Sequence, residues 1–138
     1  MIIAMFVRRL KEGATFEQFE TEWAADEGYG IPTRVFNAQS LEDPRDVLSI
    51  GFVTASAAEL AQWAGENPSH DDARHERIDT VIESTTLQAM YELRSEHDFT
   101  TQPLTIAPGD AASLLAPLLA ARAALEAEAA GAQPPVSG

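Results

Sequence analysis

Residues 2–23 read I-I-A-M-F-V-R-R-L-K-E-G-A-T-F-E-Q-F-E-T-E-W, and a change of period inside this stretch decides the fold. Through Arg9 the apolar side chains stand on both alternating faces, Ile3, Met5 and Val7 on one and Ile2, Ala4 and Phe6 on the other. That is the pattern of a central strand covered on both sides. Gly13 breaks it. Thr15 and Gln18 then make a capping-box pair, and Phe16, Phe19 and Trp23 follow at helical spacing, with Glu17 and Glu20 elsewhere on the helix. Gly28, Gly30 and Pro32 end that helix.

Downstream the two periods alternate again. Residues 33–39 and 47–54 read as strands, joined by a link containing Asp43 and Pro44 that is short enough for a hairpin. Ser56 and Glu59 open a second helix with Leu60, Trp63 and Ala64 inward. Pro68 interrupts it, and Ser69 with Asp72 can cap a continuation through Glu83. Residues 85–94 then alternate: Leu87, Ala89, Tyr91 and Leu93 on one side, Gln88, Met90, Glu92 and Arg94 on the other. The order is β-α-β-β-α-β, which gives an α+β fold, a four-stranded antiparallel sheet with both helices on one face. The second face needs a cover, and a second copy of the same sheet supplies one economically.

Composition bounds the partners. With 22 acidic and 9 basic side chains the net charge is −13, and only Arg8, Arg9 and Lys11 cluster among the cations. Nucleic acid and anionic membrane surfaces are therefore not expected as partners. There is no cysteine, which excludes disulfides and thiolate chemistry. The first ten residues place their cations after the apolar stretch, the reverse of a signal peptide, and no apolar run approaches the ~20 residues of a membrane span. A cytoplasmic protein is expected. Composition shifts near position 100, since residues 100–138 hold twelve Ala, five of the eight Pro and no aromatic. The chain thus divides into a domain over 1–99 and an Ala/Pro-rich extension over 100–138. In the extension Asp110 or Ser113 can cap one amphipathic helix striped by Leu114, Leu118 and Leu125. Pro117 kinks that helix or starts it, and the last residues read as a frayed end. The helix is suited to dock on a partner or on its own domain.

The opening strand MIIAMFVRRLKEG, the helix TFEQFETEW, the pair TRVFNAQ and VLSIGFVT, and the closing strand TLQAMYELR resemble the dimeric α/β-barrel superfamily of ferredoxin-like domains. This group includes antibiotic-biosynthesis-type monooxygenases, muconolactone-isomerase-like and EthD-like proteins, and stress-responsive barrel proteins. The resemblance covers about the first hundred residues and rests on element order and pattern. It implies a homodimer packed sheet to sheet, with a pocket between sheet and helices in each protomer. It also implies, for some members, oxidation of aromatic polyketides without metal or flavin through an Asn, a Trp and an Arg. Asn37, Trp63 and Arg94 are residues of those types here.

Two constellations can carry chemistry. In N-P-S-H-D-D-A-R-H-E-R-I-D, residues 67–79, a helix over 70–83 sets His75 four residues from both Asp71 and Asp79. There an imidazole is a general base oriented by a carboxylate, or a metal ligand, with His70 near the helix start. The same spacing equally describes a solvated helix face laced by i,i+4 pairs, and no established metal motif is present. The second constellation is Gln88, Glu92 and Arg94 on the last strand, sharing a sheet side with Asn37, Gln39 and Ser49. It lines a pocket, or else it is a wet face or a dimer seam.

Phe16, Phe19, Trp23, Phe36, Phe52, Trp63 and Tyr91 read mostly as core, with Trp63 and Tyr91 suited to a pocket by their polar handles. Gly-Tyr-Gly at 28–30 reads as a turn, since it follows a helix and precedes a strand. The expectation is a small-molecule enzyme of the cofactor-independent monooxygenase or isomerase/cyclase kind, acting on an aromatic or polyketide-like compound. Arg94 would stabilise an anion, His75 or His70 would be the base, and Asn37 and Trp63 would position the substrate alongside Tyr91, Glu92 and Gln88. No cofactor and no metal are called for. The alternative is a non-catalytic dimeric module that binds a ligand or a protein. The two separate on one point: an enzyme places His75 and Arg94 in one enclosed pocket, and a module leaves both in solvent.

Overall fold

In a computed structural model, which describes residues 1–25, 27–99, 104–106 and 112–132, four strands form one antiparallel sheet. They are β1 (Ile2–Leu10), β2 (Thr33–Gln39), β3 (Asp46–Val53) and β4 (Ile82–Glu92), in the order β2-β3-β1-β4. β1 is central, as its two apolar faces require. Helix α1 (Phe16–Trp23) follows β1, and α2 (Ala57–Glu66) and α3 (Asp72–Asp79) connect β3 to β4. The α1 capping box forms in full: the Gln18 amide donates to Thr15 Oγ1 at 3.2 Å and the Thr15 amide donates to Gln18 Oε1 at 2.9 Å. At α2 the Glu59 amide donates to Ser56 Oγ, while the Glu59 carboxylate faces Arg122.

Two apolar clusters fasten the helices to one side of the sheet. At one end Leu10, Val47 and Ile82 from three strands are buried with Phe19 of α1 and Ile78 of α3. At the other end Ile2, Val53 and Ala55 are buried, with Ile31 and Leu60 packed against them. Along β1 these clusters are anchored at positions 10 and 2. The helix-facing positions between them are Ala4, Phe6 and Arg8, and there the packing leaves a cavity.

Several expectations change in the structure. The helix broken at Pro68 resumes as α3, which stops at Asp79 instead of reaching Glu83. Ile82 pairs with Leu10 and joins the core, so β4 starts three residues earlier than 85. Ser69 does not cap α3; Asp71 holds the N-cap position without a side-chain hydrogen bond. Ala64 is exposed, not inward. Register shifts between Val7 and Arg8 and between Arg9 and Leu10 interrupt the β1–β4 ladder. There is also a short hairpin that periodicity did not suggest, β5 (Glu96–Asp98) paired with β6 (Leu104–Ile106) across position 100.

Helix α4 (Ala112–Gly131) begins before Pro117 and lies against its own domain. Arg122 Nη1 donates to the Thr54 carbonyl at 3.5 Å, and Nη2 stands 3.5 Å from Glu59. Ala121, Ala124, Leu125 and Glu128 line a groove with residues 28–33. Asp110, residues 133–138, and the side chains of Ser113, Leu114 and Leu118 lie outside the described residues. Among the described residues no helix is long and apolar enough to cross a membrane.

Candidate functional site

The cavity between the two clusters measures about 160 Å³. Its sheet wall comes from alternate positions of three strands: Ala4, Phe6 and Arg8 of β1, Thr33 and Val35 of β2, and Ser49, Gly51 and Val53 of β3, with Met90 of β4 beside them. The helical wall comes from Trp23, Leu60, Trp63, Asp71, Arg74 and His75, and residues Tyr29 and Ile31 close it from the loop after α1. Most of this surface is apolar. A few polar groups converge in it, the usual make-up of a small-molecule site.

Arg8 is the most consequential of them. It is 4% exposed, in the middle of a strand face otherwise made of Ile2, Ala4, Phe6 and Leu10. Its guanidinium lies 4.4 Å over the Phe6 ring and reaches Ser49 Oγ at 3.4 Å. Among the described residues no carboxylate forms an ion pair with it. Burial, then the neighbouring Arg74 charge, lowers its pKa to about 10 against the pull of Asp79, which leaves it charged at neutral pH. A buried charge without a partner is costly and persists where something offsets it. Ser49 is itself held, since its hydroxyl donates to Asn37 Oδ1 at 2.6 Å. Asn37 therefore acts behind the cavity wall, orienting the hydroxyl that Arg8 uses.

The second polar group is a closed triangle. Tyr29 OH donates to Asp71 Oδ2 at 2.7 Å, and Arg74 Nη2 donates to Tyr29 OH at 2.7 Å and pairs with Asp71 Oδ2 at 3.0 Å. Burial and the bond to Asp71 push the Tyr29 phenol up to about 12. Burial pushes the Asp71 carboxyl up, but the bonds from Tyr29 and Arg74 outweigh it, and the net shift is down. Arg74 also lies 4.9 Å over the Trp23 ring, and its Nε is buried without a hydrogen-bond partner. Trp63 Nε1 donates to the Tyr29 carbonyl at 2.7 Å, pinning the loop that carries the phenol.

His75 projects from α3 into the same cavity and contacts the Phe6 ring, with centroids 6.1 Å apart. Burial, then the charges of Arg74 and Arg8, hold it below its ordinary value of 6.5, against the pull of Asp71 and Asp79. It is therefore a neutral base at pH 7. Its expected carboxylate orienter is absent among the described residues, because the Asp71 side chain is committed to Tyr29 and Arg74.

Of the residues anticipated, His75 and Trp63 line the cavity and Asn37 supports it. His70 sits one layer back, edge-on to Tyr29 and Trp63 at 5.0 and 5.2 Å. Gln88 and Glu92 share the helix-facing side of β4 by alternation with Met90, but both are exposed and neither lines the cavity. Tyr91 pairs with Ile3 on the opposite face of the sheet and is 47% exposed. Arg94 lies beyond the end of β4, exposed, so it and His75 do not meet. The cations that line the cavity are Arg8 and Arg74, not Arg94.

Arg8, Tyr29, Asp71 and Arg74 are the functional candidates that pattern reading left out as a set. For Arg8 a signal existed: continuing the 2, 4, 6 alternation by one step puts an arginine on an apolar face. For Tyr29, a phenol between two glycines in a turn carries no such signal. No group of three or more His, Asp or Glu side chains among the described residues is arranged to hold a metal ion. No described protein family, no curated protein and no solved structure matches the chain.

Proposed function

We propose that this chain is a small-molecule enzyme of the cofactor-independent monooxygenase or isomerase/cyclase kind, built on a ferredoxin-like dimeric α/β barrel and acting on an aromatic or polyketide-like compound. The observation that carries it is Arg8, a charged, buried guanidinium without an ion pair among the described residues, in a largely apolar cavity beside a neutral imidazole. His75 takes a proton from a C–H next to a carbonyl, or from a phenol. The electron pair moves onto the substrate oxygen, and Arg8 stabilises that oxyanion in a largely apolar cavity. Return of the proton at another carbon is an isomerisation. Reaction of the anion with dioxygen that turns a CH₂ into a carbonyl releases one water. Tyr29, its hydroxyl held by Asp71 and Arg74, and Trp63 present fixed ring surfaces that orient the substrate ring.

The test is deuterium exchange into cyclic 1,3-diketones and benzylic ketones in D₂O, followed by proton NMR. Exchange that needs both His75 and Arg8, lost by at least about a hundredfold in His75→Gln, supports the proposal. Compounds that bind without exchange would instead mark a non-catalytic ligand-binding module, the reading favoured by the missing carboxylate behind His75.

A further inference from the structure

We propose that the cavity selects a ligand of one ring and one negative charge, a monocyclic carboxylate or phenolate, and that Gly51 sets its size limit. This rests on the proposed function, since it concerns the same cavity. Two independent observations carry it, one of volume and one of charge. An apolar cavity of about 150 Å³ holds one benzene, and this one is about 160 Å³. A single ring fills it, whereas a fused second ring either stands out of the cavity mouth in water or requires the packed walls to move, which interiors resist.

The charges lining the cavity are Arg8, Arg74 and Asp71, with His75 neutral. Arg74 is matched by Asp71 at 3.0 Å. Arg8 has no ion pair among the described residues, and Asp79, which attracts it, is not part of the lining, so the lining carries one positive charge in excess and one anionic group on the ligand neutralises it. A second anionic group would meet Asp71 in a low-dielectric site with no cation to spare.

Gly51 lies on the cavity wall beside Ala4, its partner across the β1–β3 ladder. A Cβ added at Gly51 would meet Val35 Cγ2 at 3.5 Å and Ala4 Cβ at 3.6 Å, ordinary van der Waals contacts. The backbone thus accepts alanine without displacement, and a larger side chain there takes room from the ligand. A glycine inside a strand commonly marks a close approach by a ligand.

Isothermal titration of the full chain at pH 7.5 with benzoate, 2-naphthoate, phthalate and toluene tests this. Benzoate is expected to bind at least about tenfold more tightly than each of the other three. In Gly51→Ala the melting temperature is expected to hold or rise while benzoate weakens by about tenfold and acetate binds unchanged. If 2-naphthoate or phthalate matches benzoate, or if Gly51→Ala binds benzoate as the wild type does, the selectivity proposal is overturned and the anion site stands. If none of the anions binds, the functional proposal falls with it.

Discussion

Arg8 and Arg9 are adjacent in sequence and opposite in consequence. The strand period sends Arg9 to the far side, where it meets Asp43 and Asp46 at 2.9 Å and Glu83 at 3.5 Å, and sends Arg8 into the cavity, where no carboxylate among the described residues forms an ion pair with it. Read as one basic cluster with Lys11, the pair hides this division. His75 was legible as a candidate from its helical spacing. Its partners were not, because Asp71 prefers a tyrosine 42 residues away to the imidazole one turn along. The depressed pKa of His75 makes a stability prediction. The unfolded chain takes up a proton near pH 6.5 and the folded chain resists it, so stability falls as pH drops through that value toward the lower folded-state one. Melting curves of the wild type should therefore lose more between pH 7 and 5.5 than those of His75→Gln. Equal losses would show that the imidazole is solvated.

At the scale of elements, the places where residue types agree with their period were readable in advance. The Thr15–Gln18 box starts α1 where the pattern says, and β2 and β3 fall within one residue of expectation. Thr15→Ala removes the side-chain acceptor for the Gln18 amide and should cost about 1 kcal/mol by urea unfolding, with anion binding unchanged. A loss below a few tenths would mean that tertiary packing alone holds the first turn. The elements that escaped were short or broken by local chemistry. α3 ends where Val81 and Ile82 favour a strand, and the three-residue strands of the β5–β6 hairpin are too brief for a period to show. The cavity, too, was invisible in the pattern. It arises because Ala4 and Gly51 are small where the two core clusters part.

At the scale of the molecule, the sheet face away from the helices carries Ile3, Met5, Val7, Leu48 and Ile50, partly exposed, with Phe36 and Phe52 in a T-shaped pair at 5.9 Å. In the proposed dimer two such faces pair, and Ile50→Lys should then convert it to monomers in sedimentation velocity. A wild-type monomer at micromolar concentration would remove the dimer from the proposal. The whole-molecule charge of −13 repels anions, so binding one must come from a local site. The most direct test is the absorbance titration of 4-nitrophenol, whose phenolate is coloured, with the wild type and Arg8→Met. Methionine fills similar space without the buried charge and should leave the fold intact. Bound to the wild type, the phenol should ionise at a pH lower by about one unit or more, and bound to Arg8→Met it should not. An equal shift in both proteins, or none in either, would contradict an anion site built on Arg8.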